Sequence, residues 1–213
     1  MGKYDKKNIK NSKNDNYKPP FISEFNSKKA NVIWHYIDRV AYSIKFIAKI
    51  YEKRIGETYR KEREYFNLND SKKILHIGCG FYPITAMILA EMDGTSIVTI
   101  DKKERSVNLA KKFLIKNNLD DKIQAIVGDG TKYPLDEFDT IVISGCSEPK
   151  IDVFTHVFKN SKSKTKIIIR DSYYDIEKIL KYLNSNNHVN LIEIMENKPY
   201  PTARWDSFFL IKK

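Results

Sequence analysis

The sequence predicts an α/β fold, a mostly parallel seven-stranded sheet with helices on both faces behind an N-terminal helical extension. Three observations predict it. Beyond Lys72, short apolar runs alternate with amphipathic stretches, the rhythm of strand–helix–strand units. Two small-residue turns, Gly78-Cys79-Gly80 and Gly128-Asp129-Gly130, directly follow strand-like runs. The length of 213 residues holds one sizeable α/β domain with an appendage but hardly two full domains.

The elements follow in order. Residues 1–20 carry six lysines against Asp5 and Asp15 and end in Pro19-Pro20, the composition of a disordered basic tail. Residues 21–70 turn helical. Val32, Ile33, Tyr36, Ile37, Val40, Ile44, Ile47 and Ala48 recur at three- and four-residue steps and mark one apolar face. Gly56 is a candidate break between two helices. This stretch is too thin to bury its own core, so it is expected to cap the domain of residues 71–213. There, strands are predicted over 74–77, 96–100, 123–127, 138–144, 166–170, 191–195 and 207–211. Helices are expected over 83–92, 103–117 and 176–183. The last two strands lie close in sequence across Pro199 and Pro201, so they are expected as an antiparallel hairpin. Arg204-Trp205-Asp206 reads as part of its loop.

Composition excludes several classes. No run of about 18 apolar residues is present, so no membrane span is expected. The lysine-rich N-terminus lacks the apolar core of a secretory signal. Cys79 and Cys146 are the only cysteines, too few for a disulfide framework, and a cytoplasmic location is the expectation. His35, His76, His156 and His188 show no spacing for a shared metal. The net charge of +11 allows a nucleic-acid partner without favouring one, because interleaved base-stacking aromatics are missing.

In an open α/β sheet, ligands bind outside the carboxyl ends of the strands. Three candidate features fall there. Gly78-Cys79-Gly80 lets the backbone turn sharply and approach a ligand. Asp101 ends the second strand, 21 residues after Gly80, where a carboxylate can accept hydrogen bonds from both ribose hydroxyls. Asp129, between Gly128 and Gly130, can reach an adenine amino group, with the glycines sparing the ring a clash. Together they match an adenosine-binding half-sheet. Pro83 stands where a dinucleotide fold wants its third glycine, and no Walker lysine is present.

This order of motifs resembles the class I S-adenosylmethionine-dependent methyltransferase superfamily, with its Rossmann-like fold, over roughly residues 72–213. A closer likeness is to nicotianamine synthase, especially its archaeal form. Gly78-Cys79-Gly80-Phe81-Tyr82-Pro83-Ile84-Thr85 is similar to that family's Gly-x-Gly and Pro-Leu-Thr-type element. Ser147-Glu148-Pro149-Lys150 with Val153-Phe154 looks like its Glu-Pro-Lys segment, and Ile169-Arg170-Asp171 stands where it has a strand ending in arginine.

The resemblance implies an S-adenosylmethionine-dependent transferase that moves a methyl or a 3-amino-3-carboxypropyl group to a small-molecule or protein nucleophile. An RNA methyltransferase and a non-catalytic cofactor-binding subunit are the alternatives. It implies cofactor contacts from Gly78, Cys79, Gly80, Thr85, Asp101, Lys102, Gly128, Asp129, Gly130 and Ser144. Tyr82, Glu148 and Tyr51 are the candidate catalytic residues, and no metal is implied. Ordinary methyltransferases often carry an acid two residues before the first glycine, where this chain has His76. Nicotianamine synthase draws a catalytic glutamate from a larger N-terminal domain. Glu57, Glu62 and Glu64 lie in the extension that takes its place, and solvated helix charge is the plain reading of each.

Overall fold

The computed structural model describes Tyr36 and residues 49–50, 52–171, 181–183, 185–200 and 203–213. The predicted tail, nearly all of the apolar face from Val32 to Ala48, Tyr51, Pro201 and most of the 176–183 helix lie outside the described residues. A π-helical turn, Glu52–Gly56, leads directly into α1, Glu57–Tyr65. Gly56 does not break the helix there: it keeps helical geometry at the junction, where a Cβ would come 3.2 Å from the Ile88 side chain.

The sheet is built from β1 (Lys73–Ile77), β2 (Ser96–Asp101), β3 (Ile123–Val127), β4 (Thr140–Ile143), β5 (Lys166–Asp171), β6 (Val189–Tyr200) and β7 (Ala203–Lys212). Between them run α2 (Ile84–Leu89), α3 (Glu104–Lys116) and α4 (Lys150–Asn160). The strand order is β3-β2-β1-β4-β5-β7-β6. The first five strands pair in parallel, and β7 runs antiparallel between β5 and β6. Order reverses between β1 and β4, which places a ligand crevice at their carboxyl ends.

Parallel strands covered on both faces read as unbroken apolar runs, as Ile167-Ile168-Ile169 and Ile141-Val142-Ile143 do. Alternate side chains serve different layers. Leu75, Ile77, Ile141 and Ile169 pack under Val153, Phe154, Val157 and Phe158 of α4. Ile74, Val142 and Ile168 pack beneath α2 and α3, where Val107, Ala110 and Leu114 form one helix stripe. Asn118 takes a left-handed φ of 55° beyond α3, a usual way to end a helix.

Two boundaries differ from expectation. Phe138 and Asp139 precede β4 rather than belonging to it, because the Asp139 carboxylate accepts the Lys72 and Lys73 amides and ties that turn to β1. β6 and β7 are much longer than their apolar cores. Glu193 and Lys198 are exposed on the edge strand β6, where charge is compatible with pairing and discourages further strand addition. Trp205 and Asp206 are buried residues of β7, not loop residues.

Candidate functional site

The turn after β1 is held from below. The Gly78 and Cys79 amides both donate to the Ile100 carbonyl, at 2.8 and 3.0 Å. Gly78 has a φ of +91° and Gly80 of +63°, a region that L-residues disfavour. A Cβ on Gly78 would also lie 2.6 Å from Ser147 Oγ, so this position demands glycine for conformation and for space. Cys79 turns its side chain into the core beneath α2, and its thiol donates to the Gly80 carbonyl at 3.4 Å.

Asp101 stands beside that turn at the end of β2. Its Oδ2 accepts the Gly80 amide at 3.1 Å and its Oδ1 the Lys103 amide at 2.9 Å. Each oxygen retains a second lone-pair direction, and a carboxylate so fixed can receive two vicinal hydroxyls. At the end of β3, Asp129 Oδ1 accepts both the amide and the hydroxyl of Thr131, at 3.0 and 2.8 Å. Those two bonds, the backbone one foremost, hold the carboxyl below its usual range, so it is an anion at neutral pH. Its Oδ2 keeps its lone pairs for a donor such as an exocyclic amine.

The flanking glycines, both on the cavity wall, are also required by the protein's own packing. A Cβ on Gly130 would come 2.7 Å from the Ile77 side chain, and one on Gly128 2.9 Å from the Tyr133 ring. They allow the protein's own packing, which draws the Asp129 turn against β1. A cavity of about 410 Å³ opens between these turns, walled by Gly78, Asp101, Gly128, Asp129, Cys146 and Glu148 among others. Lys102 Nζ donates to the Glu148 carbonyl at 2.7 Å and so links the β2 end to the loop after β4. The walls fit a nucleoside: one anchored carboxylate for vicinal hydroxyls, one for an amine, and backbone in left-handed turns between.

Ser144 follows β4 directly, beside Gly78, and its hydroxyl meets His76 Nε2 at 2.8 Å. His76 is buried within β1, and its Nδ1 meets Thr99 Oγ1, also at 2.8 Å. Burial, aided by the nearby positive Arg170, pushes the imidazole down to about 3, so it is neutral.

Other predicted residues sit apart from the cavity wall. Thr85 is buried, and its hydroxyl accepts from Arg170 Nη1 at 2.6 Å. Arg170 also pairs with Glu62 Oε1 at 2.7 Å and lies 3.6 Å from the Tyr59 ring centre. Glu62 is therefore not solvated helix charge. It is 2% exposed and also receives the Ser207 hydroxyl, riveting α1 to β5 and β7. Tyr82 packs with Ile55, Ile84, Ile88 and Trp205. Its hydroxyl donates to Glu52, and burial, then that carboxylate, push its pKa up. Tyr51 lies outside the described residues. Glu57 and Glu64 are exposed on α1.

Glu52 was not among the glutamates singled out by sequence. It lies in the same extension, but a single charged residue before Lys53-Arg54 carries no sign that a tyrosine 30 residues away will seek it. Lys150 likewise pairs with the Asp171 carboxylate at 2.6 Å, joining the start of α4 to the end of β5. Among the described residues no cluster of three potential metal ligands occurs, and no helix is long and apolar enough to cross a membrane.

The family model for the methyltransferase small domain matches residues 63–173, from α1 to just beyond β5. No curated protein matches the sequence. Among solved structures, a mutant of MtNAS in complex with S-adenosylmethionine superposes with a TM-score of 0.63 at 20% identity, over 76% of this chain and 63% of that one. The chain thus spans less than two thirds of that protein's length. MtNAS in complex with MTA and tNA gives a TM-score of 0.63 at 18% identity, over 83% of this chain and 69% of that one. A SAM-dependent methyltransferase from Aquifex aeolicus gives 0.58 at 16% identity, covering 72% of this chain and 89% of its own. At these identities the likeness is one of fold.

Proposed function

This chain belongs to the methyltransferase small domain family, and on that premise we propose that it is an S-adenosylmethionine-dependent transferase acting on an amine of a small molecule or protein. The observation that carries this reading is the convergence of the Gly78–Gly80 turn, Asp101 and Asp129 on one cavity at the switch point between β1 and β4. In this reading Asp101 takes the ribose hydroxyls and Asp129 Oδ2 the adenine amine. The adenosine then lies along the β2 and β3 ends, and the sulfonium and amino-acid arm along β1 and β4. The structures of MtNAS with S-adenosylmethionine and of the Aquifex methyltransferase support the choice of ligand.

Attack on a carbon attached to the sulfonium neutralises its charge, so the bound cofactor supplies most of the activation. The protein's part is to aim the nucleophile and to accept its proton. An amine in its protonated form has no lone pair. Glu52 is the carboxylate suited to take that proton, with the Tyr82 hydroxyl donating to it and fixing its direction. The fold likeness to MtNAS in complex with MTA supports transfer of the 3-amino-3-carboxypropyl arm to an amine over methyl transfer. In that reaction nitrogen gains the arm's terminal carbon. The carbon–sulfur bond breaks with its electrons passing to sulfur, and 5′-methylthioadenosine leaves.

The products decide the matter. With labelled S-adenosylmethionine and a panel of amines, 5′-methylthioadenosine is the expected by-product, and Glu52→Gln lowers turnover while leaving cofactor affinity within about twofold. S-adenosylhomocysteine instead would establish methyl transfer. Absence of any cofactor binding by calorimetry would remove the enzyme reading altogether.

A further inference from the structure

Asp206, near the start of β7, lies opposite Asp171 of β5 on one side and Glu196 of β6 on the other. Directly opposed residues point to the same face with Cβ atoms about 4.5–5.5 Å apart, so the three carboxyls form one row. The outer two hold cations. Lys150, from the start of α4, meets both oxygens of Asp171, at 2.7 and 2.6 Å. Lys198 and Arg204 meet Glu196 Oε1 at 3.0 and 2.6 Å. Asp206 between them is 0% exposed, and among the described residues neither of its oxygens has a hydrogen-bond partner. An ionised carboxylate there loses its water and gains no donor, with a like charge on either flank. As the acid it has a proton to share with a neighbouring carboxylate. Burial raises its pKa to about 6, so both forms are reached near neutral pH.

Trp205, one residue back, points to the opposite face of the sheet. Its ring meets Tyr59 edge-on with 5.8 Å between centroids, and it shares a cluster with Ile55, Tyr82, Ile84 and Ile88. The register that sets Asp206 between two acids is therefore the register that seats Trp205 in that cluster. We propose that Asp206 is a proton latch. With its proton, the start of β7 stays paired and Trp205 stays in its cluster; without it, this end of the β6–β7 hairpin loosens and the indole is released. The sign follows from linkage. A group whose folded pKa is raised stabilises fully below its unfolded value of about 4, and that contribution is lost as pH rises through 6. Tyr82 belongs to the same cluster and donates to Glu52, so the latch reaches the acceptor site, a last step that rests on the function proposed above.

Trp34→Phe leaves Trp205 as the only indole, so its fluorescence reads the latch directly. Between about pH 5 and pH 8 its emission should shift to the red and acrylamide quenching should rise about twofold, with a midpoint near 6. Far-ultraviolet circular dichroism should stay constant, because the release is local. Asp206→Asn, which keeps the shape without the charge, should hold the low-pH signal throughout. A flat signal in the protein with Asp206 intact, or a transition that survives Asp206→Asn, overturns the latch. If Asp206→Asn fails to fold, hydrogen exchange of the unaltered protein decides. Once the intrinsic rise with pH is removed, amides of residues 203–207 should lose protection as pH passes 6 while those of β1 and β2 keep it. Protection that does not change with pH refutes the latch. Turnover is read separately, and in Asp206→Asn it should persist to higher pH than in the unaltered protein. If the indole follows Asp206 and turnover does not, the acceptor site beside Tyr82 falls and the latch stands.

Discussion

Asp101 and Asp129 do similar work for a nucleoside but differ in what they do for the protein. Both Asp101 oxygens already hold loop amides, those of Gly80 and Lys103. Asp101→Ala therefore loses ligand contacts and the shape of the glycine turn together, and calorimetry should show cofactor affinity falling at least a hundredfold. Asp129 commits one oxygen to Thr131, so Asp129→Ala should cost about tenfold in affinity, near the value of one charged hydrogen bond. Similar losses from both would mean that the glycine turn does not depend on Asp101. Gly130→Ala tests packing alone: a methyl 2.7 Å from Ile77 should destabilise the fold by about 1–3 kcal/mol in urea denaturation. These residues were legible because glycine and aspartate at strand ends announce themselves by type and spacing. Thr85 and Glu52 were not. Whether a hydroxyl faces ligand or core depends on a partner such as Arg170, 85 residues away, and no local pattern encodes that.

Elements reveal their partners through buried charge. Glu62 on α1 and Arg170 on β5 form an ion pair almost out of solvent, with Thr85, Ser207 and Tyr59 around it. Removing one partner strands the other, so Glu62→Gln should lower stability by about 3 kcal/mol or more, and Glu62→Gln with Arg170→Met should recover part of it. A loss below about 1 kcal/mol in urea would show that α1 is anchored otherwise. Asp206 presents the opposite case. It has no exposed surface, and among the described residues neither carboxylate oxygen has a hydrogen-bond partner. Its cross-strand neighbours are Asp171 on β5 and Glu196 on β6. Burial raises its pKa to about 6, against the opposing pull of Arg204 and Lys198, which outweighs the push of the two acids. The folded state thus holds this proton more tightly than the unfolded chain. Stability from this group is fully present below about pH 4 and is lost as pH rises through 6. Asp206→Asn should remove that slope and add about 2–3 kcal/mol at pH 8, an upper value if water reaches the site. An unchanged pH profile would show the carboxylate to be solvated. Sequence placed Asp206 in a loop, since polar residues beside Pro201 read as a turn and strand pairing to β5 is a long-range fact.

At the scale of the molecule, the hydrophobic rhythm foretold the sheet because each parallel strand has an apolar centre and the longer helices carry one apolar stripe. It did not foretell which cavity wall each side chain would meet, because that follows from a strand order of 3-2-1-4-5-7-6. This order brings the ends of β1, β2, β3 and β4 to one crevice, so a ligand there ties together four loops that the core holds only at their roots. Linkage gives the size of the effect. A ligand at a hundred times its dissociation constant stabilises the folded state by about 2.7 kcal/mol, roughly 5–10 °C in Tm for a domain of this size. S-adenosylmethionine should produce that shift, and hydrogen exchange should slow at residues 78–81, 101–103, 128–131 and 144–148. The outer strands β6 and β7 contribute nothing to the cavity wall and should exchange as before. Protection spread evenly over the sheet would mean that the ligand tightens the whole fold rather than closing these loops, and the crevice between β1 and β4 would lose its claim to be where the cofactor binds.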